Sequence, residues 1–429
     1  MLLNDASKKM RHSATLTMNE TVKQLRKSGK EVFHLGFGES PFPTHPYIRK
    51  ALCDNAHQRS YLPTQGILPL REQVSAFYES NYNLHVSPDQ VVVGPGSKIL
   101  LFDAMMALQG PLFVPTPSWV SYDDQARLLG KEVHYIKTDY ESSYLLAAEG
   151  FEDALLKHHS STEDQKLLVI NYPNNPTGQS YSKSQLKELA DVARRYNVVI
   201  LSDEIYALLS YQNHEHHSIA EFYPEGTLVT GGLSKDRAAG GFRVGVIILP
   251  AEEPGLLESM RTIASNTWSC LAAPMQYAAI EAYRPNPEIS NYIKDSTTVC
   301  EIVTKYIHRR LQSLDIRCLP PKGAFYLFPD WNADRDKLAS KGIKTSTDIS
   351  DRLLQDWSVA TLPGSDFGMA PSELCVRIAT VDYDGKFALD QYKRDSKMVL
   401  SQPDLFVTKV APHLIESMEI LEKFTKSFR

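Results

Sequence analysis

The chain has 429 residues, 42% of them hydrophobic and 23% charged, with a formal net charge of −5. That is an ordinary globular composition, long enough for two or three domains, and the acidic balance speaks against nucleic-acid or membrane-surface binding driven by bulk positive charge. Five widely spaced cysteines (Cys53, Cys270, Cys300, Cys318, Cys375) without a C-x-x-C pair predict a reducing, cytoplasmic setting; no stretch nears a membrane span, and the first residues, with Asp5, lack the apolar run of a secretory signal.

In chain order, a polar segment with spaced apolar positions runs from Ala14 to about Lys30 and stops at Ser28-Gly29-Lys30, before a short strand, Val32–Leu35. Gly36-Phe-Gly38-Glu-Ser-Pro41-Phe-Pro43 follows, a stiff loop able to set a backbone N–H against a small anion. Tyr61-Leu-Pro-Thr-Gln-Gly66 feeds a helix with Leu70, Val74 and Phe77 at helical spacing. The β-branched run Val91–Val93 reads as a buried strand, and Gly94-Pro-Gly96-Ser97-Lys98 turns it into a helix beginning near Ile99. Free N–H groups and the positive end of the helix dipole favour an anion there. Because the third glycine of a G-x-G-x-x-G fingerprint would fall on Ile99, a single phosphate suits this turn better than a pyrophosphate.

Short strands then alternate with helices: Leu112–Val114, Val133–Ile136, Leu167–Ile170, Val198–Leu201, Leu228–Thr230 and Val244–Ile248. The alternation predicts a mainly parallel sheet covered on both faces, with sites beyond the carboxyl ends of its strands. Ser182 and Gln185 form a capping box ahead of a helix with Leu186, Leu189, Ala190 and Ala193 on one face. Beyond Pro285, Ile289, Ile293, Cys300, Val303, Ile307, Leu311 and Leu314 recur at threes and fours, a helix long enough to bridge two domains. The remainder, with strands at Ala324–Phe328, Val359–Leu362 and Val376–Ala379, reads as a smaller α+β unit, whose last helix packs through Val410, Leu414, Met418, Leu421 and Phe424.

The chemistry centres on Gly231–Gly245, GGLSKDRAAGGFRVG. Glycines let backbone pass close to a ligand, Arg243 offers a planar donor fork for phosphate, and Lys235 can form an imine with a carbonyl. Together they predict a covalently tethered, phosphate-bearing aldehyde. The stretch is not a G-x-S-x-G elbow, since Asp236 stands where the closing glycine belongs, and it lacks the P-loop order. In Tyr172-Pro-Asn-Asn-Pro-Thr-Gly178, Asn175 precedes a proline and is held out of the helical region, which aims its amide. In Ser202-Asp203-Glu204-Ile205-Tyr206, a carboxylate at the mouth of a buried strand calls for a cationic partner of Asp203. His214-Glu-His-His217 is not H-E-x-x-H; it reads as a solvated loop, with no metal site.

N-N-P-T-G, S-D-E-I-Y and S-K-x(7)-R-x-G in this order resemble the class I/II aminotransferases of the fold-type I pyridoxal-phosphate (PLP) enzymes, over about Gly36 to Arg377. The resemblance implies an α/β fold: a large domain (46–285) with a mainly parallel seven-stranded sheet, a smaller α+β domain (286–429), and an N-terminal segment (1–45) packing with the latter. It implies Lys235 as the Schiff-base lysine, Asp203 as partner of the pyridinium nitrogen and Tyr206 as donor to the ring hydroxyl oxygen. Asn175 would touch that oxygen and the substrate carboxylate; Gly96, Ser97, Lys98 and Arg243 would hold the phosphate; Trp119 would stack on the ring. Arg377, with backbone near Gly38, would clamp the α-carboxylate of an amino acid or 2-oxo acid. Tyr61 would reach the neighbouring site of a homodimer. Gly232 departs from the family, which commonly has serine there. Cis bonds are implied before Pro117 and Pro176. The implied reaction is ping-pong amino transfer, the alternative an elimination of the aminocyclopropane-carboxylate-synthase type. A DNA-binding regulator built on the fold would need a basic domain ahead of it, and fewer than forty residues precede the first site loop.

Overall fold

Aliphatic runs without polar interruption can form strands only where both faces are covered, and such runs make the interior of one seven-stranded sheet, whose edge strand Val133–Lys137 alternates buried and exposed residues. The computed structural model describes residues 2, 12–158, 162–251 and 253–429, so Asp5 lies outside the described residues. In chain order the strands are β1 (Phe33–His34), β2 (Val91–Gly94), β3 (Leu112–Thr116), β4 (Val133–Lys137), β5 (Lys166–Asn171), β6 (Val198–Asp203), β7 (Thr227–Gly232), β8 (Gly245–Ile248), β9 (Tyr326–Leu327), β10 (Val359–Ala360), β11 (Leu362–Pro363) and β12 (Val376–Ala379).

Strands β2 to β8 form the expected seven-stranded sheet, in the order β2-β8-β7-β6-β5-β3-β4. Pairing is parallel from β4 across to β7, while β8 runs against both β7 and β2. Successive residues of β5 face opposite cores. Leu168 and Ile170 pack with Leu186, Leu189 and Ala190 of the helix Lys183–Arg195, and Leu167 and Val169 with Leu101 and Met105 of the helix Ser97–Ala107. The first of these helices starts at the capping box: Ser182 Oγ accepts from Gln185 N at 3.4 Å, and Gln185 Oε1 from Ser182 N at 2.9 Å.

The helix Pro287–Ser313, 27 residues long, buries Ile289, Ile293, Cys300, Val303, Ile307 and Leu311 as its spacing predicts. An antiparallel sheet, β11-β12-β9, follows it in the chain, and β1 pairs in parallel with β10, which ties the segment before Gly36 to the C-terminal part.

Four details differ from expectation. Val359–Leu362 is two strands, because β10 pairs with β1 and β11 with β12; the chain changes sheets at buried Thr361, whose hydroxyl meets Ser350 Oγ at 3.1 Å. Ala324–Phe328 shortens to β9, since Ala324 has φ +58° and only Tyr326 and Leu327 meet β12. Val410 ends its own helix, Pro403–Val410, because Pro412 lacks the N–H that would continue it and opens the helix Pro412–Lys426 instead. Cis peptide bonds precede Pro117, as implied, and Pro173 rather than Pro176. The stretch around Pro176 is closed instead by Gly178 N donating to Asn174 O at 2.8 Å and Thr177 N to Asn174 Oδ1 at 3.1 Å.

Leu189→Ala, removing a side chain that is fully buried, is expected to destabilise the protein by about 2–5 kcal/mol in urea unfolding. Ser182→Ala, which removes only the helix cap, is expected to cost about 1 kcal/mol.

Candidate active site

Beyond the carboxyl ends of β5, β6 and β7 lies a cavity of about 470 Å³. Gly38, Ser97, Lys98, Trp119, Asn175, Asp203, Tyr206, Lys235, Arg243 and Arg377 all line it. Residues nominated from patterns spread over 340 positions therefore converge on one space, because parallel strands deliver their outgoing loops to the same edge. Of the nominated residues, Gly96 and Tyr61 do not line it. Gly96 stands directly behind Arg243, and Tyr61 is 91% exposed.

Asp203 ends β6, buried. Its Oδ2 accepts from Tyr122 OH at 2.7 Å, and its Oδ1 more weakly from Thr230 Oγ1 (3.3 Å) and Ile205 N (3.4 Å). Burial lifts its carboxyl to about 6, against the opposing pull of the Tyr122 hydrogen bond. The expected protein cation is not there: among the described residues no Lys, Arg or His pairs with Asp203. A buried carboxylate held by two hydroxyls and one long N–H contact is incompletely neutralised. Asn171, at the end of β5, donates to Asp203 O at 2.7 Å and accepts from Asn175 N at 2.8 Å, which fixes the asparagine loop to the strand beside it.

Arg377 on β12 presents the opposite deficit. Its guanidinium is buried with Nη1 on Asn175 Oδ1 (3.0 Å) and Nη2 on Gly36 O (2.6 Å), between the rings of Tyr326 and Phe367. Its Nε is buried without a partner. Among the described residues no carboxylate is seen hydrogen-bonded to it, and burial lowers its proton affinity against the opposing pull of Tyr326, Tyr206 and Asp366. The backbone group beside it is thus Gly36 O, whereas Gly38 O accepts from Lys235 Nζ at 2.7 Å. A Cβ on Gly38 would collide with the hydroxyl of Tyr326, so only glycine lets this loop pass. Tyr326 OH in turn meets Tyr206 OH at 2.8 Å; burial first, then Tyr326, holds Tyr206 firmly protonated.

The third region is the turn at the start of the helix Ser97–Ala107, where Gly96 has φ +95°. Arg243 adopts φ +54°, a left-handed conformation costly for a residue with a side chain, and Nη1 donates to Gly240 O at 2.9 Å. Gly245 lets β8 lie against this turn, since a Cβ there would strike Gly96 and the backbone nitrogen of Ser97. Lys98 places its ammonium 4.7 Å over the Trp119 ring; burial, then Arg243, lowers its proton affinity.

Other lining residues were not singled out from sequence: Thr15, Tyr122, Asn171, Ser234 and Tyr326. Ser234 stands next to Lys235 and carries a hydroxyl despite the loss at Gly232, a signal adjacency could have supplied. The others gave none, being ordinary polar residues inside predicted elements. The loop His214–His217 is also not simply solvated. His216 packs inward, its side chain 4% exposed, with Nε2 2.9 Å from Glu204 Oε2, because its ring stacks on Tyr172.

Because Asp203 titrates near 6 in the folded chain and near 3.8 when unfolded, the folded state binds more protons between those values, and the penalty is complete above about pH 6. Asp203→Asn is therefore expected to stabilise cofactor-free protein at pH 7 by up to about 3 kcal/mol, the advantage fading as pH falls towards 4. Urea unfolding of both proteins across that range checks it.

A family profile described as aminotransferase class I and II matches residues 30–384. An aspartate aminotransferase of Bacillus sp. (strain YM-2) is 32% identical over 88% of this chain and 95% of its own length. An asparagine–oxo-acid transaminase of Streptococcus mutans is 30% identical over 86% and 93%. Among solved structures, the aspartate aminotransferases of Rhizobium meliloti (TM-score 0.84) and of Thermus thermophilus with maleate (TM-score 0.83) are each 26% identical and match 99% of both chains. By these matches the chain belongs to the class I and II aminotransferases, PLP-dependent enzymes that move an amino group between an amino acid and a 2-oxo acid by a ping-pong mechanism.

Proposed function

We propose that this cavity binds pyridoxal phosphate and that the amino donor is an acidic amino acid. The observation that carries the cofactor assignment is the pair of buried groups at its two sides for which no hydrogen-bonded counter-ion is seen among the described residues, Asp203 and Arg377. The donor set fits the group. The helix start at Ser97, with Gly96, Lys98 and Arg243, suits a phosphate, Trp119 offers an aromatic face to a ring, and Asp203 suits a protonated ring nitrogen.

When bound, the cofactor supplies an electron-withdrawing ring that stabilises negative charge on the donor's Cα. The chain does the rest. Asp203 keeps the proton on the ring nitrogen, and burial makes that pairing strong because no water competes. Tyr206, held protonated beside Tyr326, donates to the ring hydroxyl oxygen. Lys235 would hold the cofactor through Nζ and, when free, its Nζ would take up and return the proton of the donor's Cα. Arg377 and Asn175 bind the α-carboxylate, and Arg377 Nε is a buried donor without a partner among the described residues.

The donor's class rests on the other wall. Ser13, Thr15 and Leu16 line the cavity at the start of the helix Ala14–Lys27, where the N-cap Ser13 makes no side-chain cap bond and, among the described residues, Thr15 Oγ1 is buried without a partner. A helix N-terminus with an idle hydroxyl favours a second carboxylate. Relatives named for aspartate, and a dicarboxylate, maleate, in the Thermus neighbour, support the same choice. They also support transfer over elimination. Exposed Tyr61 is proposed to reach the phosphate of a second copy in a homodimer.

Borohydride reduction of the holoenzyme followed by peptide mapping is expected to leave the cofactor on the peptide carrying Lys235; a label elsewhere, or none, overturns the assignment. Thr15→Val is expected to lower kcat/KM for aspartate about tenfold while leaving alanine unaffected, and Arg377→Ala to lower it at least about 100-fold for both. Equal losses for aspartate and alanine in Thr15→Val would remove the case for an acidic donor.

A further inference from the structure

Behind the cavity floor, on the face of β6 away from Asp203, one buried carboxylate gathers four donors. Glu204 Oε1 accepts from Ser218 Oγ (2.7 Å), Ser202 Oγ (2.8 Å) and Tyr172 OH (3.2 Å), while Oε2 faces His216 Nε2 at 2.9 Å. The Glu204 side chain is 1% exposed. His216 Nδ1 is buried without a partner, so Nε2 carries the proton and donates, leaving Nδ1 as an idle acceptor rather than an orphaned N–H. Its ring stacks on Tyr172 at 5.2 Å and meets Tyr82 edge-on at 5.4 Å.

These donors come from three segments, and the residues assigned to the cofactor hang from two of them. Ser202 and Glu204 flank Asp203 in the chain, and Tyr206 follows two residues on. Tyr172 follows Asn171 and begins the loop that carries Asn175. Its hydroxyl also accepts from Ile219 N at 2.9 Å, so the 214–219 loop is held both by Tyr172 and, through Ser218, by Glu204. From Tyr172 the path runs through Asn171 to the Asp203 carbonyl and to Asn175, and from Asn175 to Arg377. The carboxylate thus pins the exit of β6 to the exit of β5 on the side opposite the cavity, with the histidine loop as the outer brace.

We propose that Glu204, held by His216, is a positioning residue for the cofactor-binding wall: it fixes the mutual placement of Asp203, Tyr206 and Asn175 without touching the cofactor or substrate. This rests on the cofactor reading above. It also gives the H-E-H-H stretch a role that is neither metal ligation nor solvation. The donor on His216 is the working part. Taking it away leaves Glu204 Oε2 a buried charge with no partner, and the cheapest relief is to move the strand end towards water, carrying Asp203 with it.

The test uses purified full-length protein stripped of cofactor and titrated with pyridoxal phosphate, comparing His216→Phe, which keeps a ring against Tyr172 but removes the donor, with His216→Gln, which keeps a donor. His216→Phe is expected to raise the dissociation constant about tenfold or more and to shift the pH midpoint of the bound cofactor's absorption band, with His216→Gln within about threefold of the native protein. Native-like affinity and an unmoved midpoint in both variants overturn the proposal, as does an equal loss in both, which would make the ring's packing the cause. Should His216→Phe not fold, Ser218→Ala removes a donor from the other oxygen of the same carboxylate. It is expected to move the midpoint in the same direction, and a change confined to thermal stability again overturns the proposal. Failure of the native protein to bind pyridoxal phosphate at all would overturn the cofactor reading instead.

Discussion

A carboxylate taken out of water and given only hydroxyls and one weak N–H for company is the constraint on which this architecture turns. Asp203 sits at the outgoing end of a central strand, and its proton affinity is pushed up because nothing in the described chain supplies positive charge to it. Such a group is a net cost to the fold, tolerable only in a molecule whose large cores carry the stability. The two layers of apolar contacts on either face of the seven-stranded sheet do that, with β5 contributing alternate residues to each. Stability is made in the layers, and the unpaired charge is kept at the edge where strands end.

Parallel pairing explains why so many functional groups share that edge. From β5 to β7 every strand exits the same way, so Asn171, Asp203 and the turn leading to Lys235 emerge side by side. The antiparallel β8 returns to place Gly245 against the turn before the helix Ser97–Ala107, and Arg243 just before it crosses Gly96. Two glycines, at 38 and 245, are required by close approach to neighbouring atoms, and Gly96 by its positive φ as well as by the arginine in front of it.

The opposite wall belongs to the C-terminal part of the chain. Arg377 comes from β12, its carbonyl partner Gly36 from the N-terminal segment, and its amide partner Asn175 from the loop after β5. The Tyr206–Tyr326 hydroxyl pair crosses the same seam. Arg377 is therefore held at once by the N-terminal segment and by the loop after β5.

Much of this was readable in the amino-acid order. Strand and helix succession, the capping box at Ser182 and the parallel sheet follow from short-range regularities of period and turn residues, while the grouping of Lys235, Asp203, Tyr206, Asn175, Arg243 and Arg377 came from the resemblance that motifs a few positions long carry. What tertiary structure alone decided are the partners. Tyr122 reaches Asp203 across 81 residues and Tyr326 reaches Tyr206 across 120. Thr15 faces the cavity from a helix with no marker of function, and His216 turns inward because a tyrosine ring and a buried glutamate receive it. A hydroxyl or imidazole in sequence is one polar side chain among many. Its meaning depends on which buried group it neutralises, and that is set by packing between segments far apart in the chain, on which local pattern has no hold.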